Sequence, residues 1–343
     1  MATETGLRPV VGSMAGSAEN RLSYPRQVSS YQPSDFSRKL LAHCRQWRAA
    51  AERDDPTAPV SPMWKHWTDG LHVDLRERAE YLVQRDRIRL HSHVAALHSS
   101  MAFAFNLFLP FQEKSALALA FAPLVGDFLV REVALEWIPP GALLGELAGD
   151  KPREREPATG MDAVVWGERP DGTQLAILIE VKLSEAGFTG CGGLKSRGNR
   201  RPDVCASADL FFEDPTACYL TRPWRKKRDR RYWQIFEGAS GSVRAAFPGV
   251  DGVGCPFRAD MQQPMRQHAL ALAMEAEGLV DEAWLVLVHH DDNPDVLPHW
   301  QRYAALVHNS NRIGSLPASA VVAAGESEHA EWARFMRERY ALR

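Results

Sequence analysis

MDAVVWGERPDGTQLAILIEVKL, residues 161–183, decides how this chain is read. Two runs rich in aliphatic and β-branched residues flank Glu168-Arg169-Pro170-Asp171-Gly172-Thr173, and Asp-Gly is a strong turn dipeptide, so the stretch predicts a β-hairpin. With Asp171 at the turn centre, Val164 faces Leu178 and Asp162 faces Glu180. Facing residues have Cβ atoms about 4.5–5.5 Å apart. Side chains alternate along a strand, which puts Asp162, Val164, Leu178, Glu180 and Lys182 on one face. The opposite face, Ala163, Val165, Ile177, Ile179 and Val181, is wholly apolar and is expected to pack on the core.

Two carboxylates at that spacing repel unless positive charge lies between them. Lys182 supplies one charge and a divalent cation would supply two more. Mg²⁺, with Mn²⁺ as an alternative, prefers carboxylate, carbonyl and water oxygens. The expected ligands are Asp162, Glu180 and the carbonyl of Val181. Lys182 is placed to orient a nucleophilic water or to meet developing charge on a phosphate. The same residues also fit an ordinary cross-strand cluster of charges.

Outward from the hairpin, the chain has 343 residues, 45% of them hydrophobic and 24% charged, the ordinary globular range. Its net charge of -2 neither favours nor excludes a nucleic-acid partner. No run is long and apolar enough to span a membrane. No leader with a basic start and an apolar core is evident, and five cysteines, an odd number, suit a reducing cytoplasm. Residues 1–30 read as a disordered tail. Residues 31–88 read as a helical extension outside the compact fold, with helices over 34–52 and from Leu75. Residues 89–343 hold the main domain. In it a Phe-rich helical segment from His98 breaks near Pro110. A strand covers FLVREVALEWI, and PPGALLGELAGD opens a loop. A helix covers DMQQPMRQHALALAMEAEGL, EAWLVLVHH forms a buried strand, and the last residues are helical.

Asp162, a turn and Glu180-Val181-Lys182 resemble the D…(D/E)XK signature of the PD-(D/E)XK nuclease superfamily. LHSSMAFAFNLFLPF, with Ser99, Ser100, Asn106 and Pro110, is similar to the opening helix of an uncharacterised bacterial branch. So are Glu136-Trp137 before the Asp, Glu185 after the Lys, and the helix that carries Gln263 and Gln267. The resemblance implies a restriction-endonuclease-like α/β fold, a mixed β-sheet flanked by helices. It implies Mg²⁺-dependent phosphodiester hydrolysis, with Asp162 and Glu180 as ligands, Lys182 as the catalytic lysine and Gln263 as the helix glutamine. It also implies an upstream glutamate, for which Glu113, Glu132 and Glu136 are candidates; Glu136 is included in the expected site. Met161 stands where the signature's name has Pro. The alternative on the same fold is an inactive nucleic-acid- or protein-binding module. The partner expected is nucleic acid, DNA ahead of RNA, and a homodimer is compatible with double-strand cutting.

An insert over about 190–255 follows the hairpin. Between Gly193 and Trp233 it holds eleven Lys or Arg against five Asp or Glu. Arg222, Arg225, Lys226, Lys227, Arg228, Arg230 and Arg231 are expected to contact phosphates, and Trp224, Tyr232 and Trp233 to stack on bases. A solvated charged loop is the bland alternative. Cys191, Cys205, Cys218 and Cys255 lie in the same insert. They contain no C-x₂-C pair, so buried free thiols are expected ahead of a zinc or iron–sulfur site. His289-His290-Asp291-Asp292 reads as a polar strand-exit loop. His91, His93 and His98 read as surface or satisfied core histidines, and the Phe103–Phe111 stretch as core. The glycines of 187–198 do not form a nucleotide-binding pattern.

Overall fold

Five strands form one mixed sheet in the order β1-β2-β3-β4-β5. They are β1 (Leu129–Trp137), β2 (Met161–Glu168), β3 (Gln174–Lys182), β4 (Glu282–His289) and β5 (Ile313–Pro317). β2 runs antiparallel to its two neighbours β1 and β3, and β3, β4 and β5 run parallel. The computed structural model describes residues 33–51, 61–113, 116–146, 158–221, 230–250, 254–258, 260–308 and 310–343. The expected tail lies outside the described residues, as do Arg222, Trp224, Arg225, Lys226, Lys227 and Arg228.

The hairpin has the register that its turn dictates: Val164 pairs with Leu178 and Ala163 with Ile179. Arg169 and Thr173 close the turn by a 2.9 Å main-chain bond, and Gly172 sits at φ +90°, where a side chain would be strained. Thr173 N–H donates to Asp171 Oδ1 at 3.0 Å, so the Asp-Gly pair fixes the turn through both residues.

The helices are α1 (Asp35–Ala51), α2 (Arg76–Arg85), α3 (Ser100–Phe108), α4 (Leu117–Val125), α5 (Pro202–Ala206), α6 (Ala208–Glu213), α7 (Tyr232–Ser240), α8 (Val243–Ala246), α9 (Gln262–Ala276), α10 (Val296–Leu306), α11 (Ala318–Gly325) and α12 (Ala330–Tyr340). Both faces of the sheet are covered. On one, Ala163, Val165, Ile177, Ile179, Val181, Val286 and Val288 share a core with the phenylalanines of α3 and with α11 and α12. On the other, Val164, Ala176, Leu178, Leu285 and Leu287 meet Met265, Ala269 and Leu270 of α9 and the residues of α7 and α10. Each fully buried aliphatic side chain contributes about 1.5–3 kcal/mol relative to exposure.

Two expectations are corrected here. The described residues of 35–51 and 61–82 are not outside the compact fold. Leu40, Cys44, Leu75, Ala79 and Leu82 belong to the same core as the sheet, and Pro33–Arg343 form one compact unit. The buried Arg339 guanidinium lies 5.5 Å from the Trp47 ring and 5.2 Å from that of Trp64, which ties this segment to α12. The insert, for its part, is largely helical in its described residues. Tyr232 and Trp233 are buried, with Trp233 against Phe211 and Phe257, so neither ring is presented to a base.

Candidate active site

Alternation along β2 and β3 decides which side the acids face. Val181 points into the α3 side of the sheet. Glu180 and Lys182 point to the α9 side, where both are buried. The register carried one step beyond Ala163–Ile179 sets Asp162 level with Glu180. On the other flank β1 pairs Leu135 with Ala163 and Trp137 with Met161, which sets Glu136 level with Asp162. Three carboxyl groups from three adjacent strands thus line up at one end of the sheet.

Each has a defined setting. Asp162 Oδ2 accepts the Val181 N–H at 2.6 Å. Glu180 Oε1 accepts from Lys182 Nζ at 2.6 Å and from Gln263 Nε2 at 2.7 Å. Glu180 Oε2 accepts from Gln267 Nε2. Glu136 differs: its Oε1 is buried without a hydrogen-bond partner, and its backbone has φ +48°, left-handed for a residue with a side chain. Such strain persists only where the surroundings over-determine it, and it clusters at functional sites.

Electrostatics shows how strongly the groups feel one another. Burial first, then the charges of Glu180 and Glu136, push the Asp162 carboxyl well above the ordinary carboxylate range. Burial and the Glu180 charge push Glu136 up to about 8. Burial works against the Lys182 ammonium, but Glu180, Glu185 and Asp162 outweigh it and raise its pKa. Lys182 Nζ also lies 5.5 Å over the Phe188 ring. Glu185 accepts the Leu183 and Ser184 N–H groups at 3.0 and 2.9 Å, which turns its charge back towards the lysine.

The fit to a hard cation follows from these observations. A buried carboxylate oxygen with no partner, beside two further acids, marks a site short of positive charge. One ammonium does not balance three carboxylates. Among the described residues no three His, Cys, Asp or Glu side chains are closed up into a ready-made ligand set. Two carboxylates and the Val181 carbonyl, oxygen ligands all, are the donors that suit Mg²⁺ or Mn²⁺.

Asp162, Glu180, Val181, Lys182, Gln263 and Glu136 therefore meet in one place. Of the other upstream glutamates, Glu132 is exposed on β1 and the Glu113 side chain lies outside the described residues. Arg230 and Arg231 lie elsewhere. Arg230 Nη1 donates to the Leu220 carbonyl at 2.8 Å, and Arg231 pairs with Glu277 at 3.3 Å. Asn106, one of the residues of the family-like helix, is structural: it donates to the Gly70 carbonyl and to Tyr340 Oη and accepts from His72 N–H. His289 ends β4 and His290-Asp291-Asp292 form the polar turn that leaves it, with His290 buried against the Tyr340 carbonyl at 2.6 Å. His98 is not a satisfied histidine; its Nδ1 is buried without a partner.

Sequence reasoning missed the buried group that braces α9. Glu146 accepts the Thr159 N–H at 2.6 Å, the Thr159 hydroxyl at 2.8 Å, Arg266 Nη2 at 2.9 Å and the Tyr232 hydroxyl. Arg266 lies between Gln263 and Gln267 on α9, and Thr159 leads into β2. The network thus locks the glutamines against the acids. The one signal was a lone Glu in the apolar run around Leu143 and Leu144.

The family described as restriction endonuclease associating with ARP (REase-ARP) matches residues 34–341, and the chain belongs to that family. No curated protein and no solved structure matches. The five-stranded mixed sheet flanked by helices is accordingly a restriction-endonuclease-like fold. Among the described residues no helix is long and apolar enough to cross a membrane.

Proposed function

We propose that this restriction-endonuclease family member is a Mg²⁺-dependent nuclease, with Mn²⁺ as an alternative metal, that hydrolyses phosphodiester bonds of nucleic acid, DNA ahead of RNA. The observation that carries the reading is the convergence of Asp162, Glu180 and Lys182 beside the unpartnered Glu136 oxygen. Asp162, Glu180 and the Val181 carbonyl would hold the cation. When bound, it supplies positive charge against the phosphate and makes water a better nucleophile.

The chain's own groups do the rest. Lys182 stays protonated because the surrounding carboxylates favour its charged form, so it donates hydrogen bonds to a non-bridging phosphate oxygen or orients the water. Gln263 and Gln267 hold Glu180 in one orientation to face the cation. Glu136, neutral at pH 7 in the absence of positive charge, adds a third carboxyl that ionises when charge arrives. Burial of Glu180 and Lys182 removes competing water and strengthens each of these interactions.

Nucleic-acid contact is supported by exposed Lys195, Arg197 and Arg200 on the segment that leaves the site. The family's description also carries an association with ARP, which we extend to this chain.

Purified protein with Mg²⁺ or Mn²⁺ is expected to cut linear or plasmid DNA or single-stranded RNA. Lys182→Ala is expected to abolish cutting with the circular-dichroism spectrum unchanged. Full activity in that variant overturns the assignment of Lys182. Salt-sensitive binding without cleavage, across all substrates and both metals, leaves the inactive binding module as the reading.

A further inference from the structure

A cavity of about 640 Å³ opens on the α9 side of the sheet, along the half of α9 that follows Gln263 and Gln267. That size falls in the range of small-molecule sites and exceeds the voids that packing leaves. Phe236 and Ala239 of α7, Ala271 and Leu272 of α9 and Leu285 of β4 supply its apolar wall. The wall is held in place. The Phe236 ring meets that of Phe247 at 4.7 Å and that of His268 at 5.3 Å. Two main-chain bonds join α8 and its following turn to the end of α10: His308 N–H donates to the Ala246 carbonyl at 2.8 Å and Gly249 N–H to the Leu306 carbonyl at 3.2 Å. A Cβ on Gly249 would collide with the Ala305 carbonyl, so only glycine permits this closure.

The polar groups of the lining are the second observation. The buried Tyr303 hydroxyl bonds His268 Nδ1 at 2.9 Å. The phenol donates, because a buried O–H left without an acceptor is costly, and this assigns the imidazole proton to Nε2. Burial pushes the His268 pKa down to about 4, so the ring is neutral at pH 7. Its Nε2–H has no partner among the described residues and is left for the cavity that the ring lines. Ser240 and Asn311 add a hydroxyl and an amide. Glu275 accepts from Arg312 and, at 2.7 Å, from the Ala283 N–H, so the two opposite charges of the lining are already paired. A gap left by packing would be smaller and would not present a free donor.

We propose that this cavity is an effector site for a nucleoside, an uncharged planar heterocycle on a hydroxyl-bearing sugar. The faces of the ring suit the apolar wall. Its edge offers acceptors to His268 Nε2–H and mixed groups to Ser240 and Asn311. The sugar hydroxyls suit the Glu275–Arg312 pair, which sets an acceptor and donors side by side. An ionised ligand gains little there, because it meets both signs at once. The site reaches the candidate active site along α9. His268 follows Gln267, which holds Glu180, and Gln263 holds the same carboxylate one turn earlier. From Gln263 to Glu275 the helix rises about 18 Å. A ligand that fixes His268 therefore fixes the helix that orients Glu180. Nucleoside binding is independent of the proposed nuclease reading; only the coupling to the metal ligands rests on it.

Full-length protein in EDTA is titrated calorimetrically with adenosine, guanosine, cytidine and uridine, and with their 5′-monophosphates. At least one nucleoside should bind with a Kd of about 1 mM or tighter, and more tightly than its monophosphate. Ala239→Trp, which puts an indole into the cavity from an exposed position, should weaken that binding at least ~10-fold. Asp162→Asn should leave it unchanged, which separates this site from the acids. In EDTA-free buffer the nucleoside should shift Mn²⁺ affinity by about 5-fold or more, and Mn²⁺ should shift nucleoside affinity by the same factor. Should Ala239→Trp fail to fold, hydrogen exchange of the wild type decides, with protection expected over 236–240 and 268–276 rather than 180–184. No binding of any nucleoside, tighter binding of the monophosphate, unchanged binding in Ala239→Trp, or protection confined to 180–184 overturns the site. Binding that leaves Mn²⁺ affinity unchanged overturns the effector role. Absence of cleavage by the wild type would overturn the nuclease reading and leave the nucleoside titration unaffected.

Discussion

The hairpin and the insert beside it are built on opposite terms. In β2 and β3 every charged side chain takes its direction from its immediate neighbours. The turn fixes the register, the register fixes the faces, and the faces put Asp162, Glu180 and Lys182 on the α9 side. In the insert nothing local is decisive. Tyr232 meets Glu146 across 86 residues, and Arg266 meets it across 120. A reactive group on a local element can be disarmed without disturbing the fold. A brace made of distant contacts fails by loosening the fold first.

The largest expected effect follows from the first half of that contrast. Asp162→Asn keeps the shape of the side chain and removes a charge that burial and two neighbouring carboxylates oppose. Cleavage should fall by at least about 10²–10³-fold, while metal-free stability stays level or rises. Chemical denaturation in EDTA, run beside a cleavage assay, measures both. If activity and stability fall together, the acid is structural and the contrast is lost.

Arg266→Met should behave the other way round. It strips the guanidinium from buried Glu146, whose remaining partners are neutral. Removing one member of a buried ion pair costs about 3–5 kcal/mol. Residual cleavage by the folded fraction at low temperature should exceed that of Asp162→Asn. A shift below about 1 kcal/mol, the level of an exposed pair, would show that the network braces nothing.

The same contrast explains what could be read in the sequence. The hairpin, its register, both faces of β3 and the helix that presents Gln263 were legible because a two-residue alternation and an Asp-Gly turn are local signals. The choice among Glu113, Glu132 and Glu136 was not legible, because it depends on where β1 lies against β2. Tyr232 and Trp233 read as exposed rings in a basic run, but long-range packing against Phe211 and Phe257 buries them. Cys191 and Cys205 looked unrelated by spacing, since their link runs through Asn199 and Gly193. β5 is five residues long and gave no periodic signal.

A smaller effect tests how the two regions communicate. Gln263 and Gln267 each hold one oxygen of Glu180, but only Gln263 is also tied to the Thr189 main chain. Gln267→Ala should weaken Mn²⁺ binding by about 10-fold, within the range for groups that orient ligands, and leave the segment after β3 in place. Gln263→Ala should weaken it by a similar factor and also raise amide exchange around Thr189. Calorimetric titration with Mn²⁺ and hydrogen exchange separate the two. Equal exchange in both variants would mean that the insert does not act through Gln263.

The smallest expected effect is one of pH, and it concerns the acids alone. Burial, then neighbouring carboxylates, raises both Asp162 and Glu136, so at these two groups the folded chain binds more protons than the unfolded chain, whereas buried histidines such as His268 and His290 are lowered and act in the opposite sense. Stability from a raised carboxyl is fully present below its unfolded pKa and is lost as pH rises through the folded value. For Glu136 that window runs from its ordinary 4.5 to about 8. Lys182 is raised as well, but its contribution is fully present below the ordinary lysine value and does not change in this window. In EDTA the wild-type thermal midpoint should therefore drop relative to that of Glu136→Gln between pH 5 and pH 8, a difference in which the histidines, common to both proteins, cancel. Mg²⁺ should restore the wild-type midpoint most at the alkaline end, where the carboxylates are charged and the cation has most repulsion to relieve. Identical pH profiles for wild type and Glu136→Gln in EDTA would mean that the acid is already compensated, and the cation would have nothing to offset.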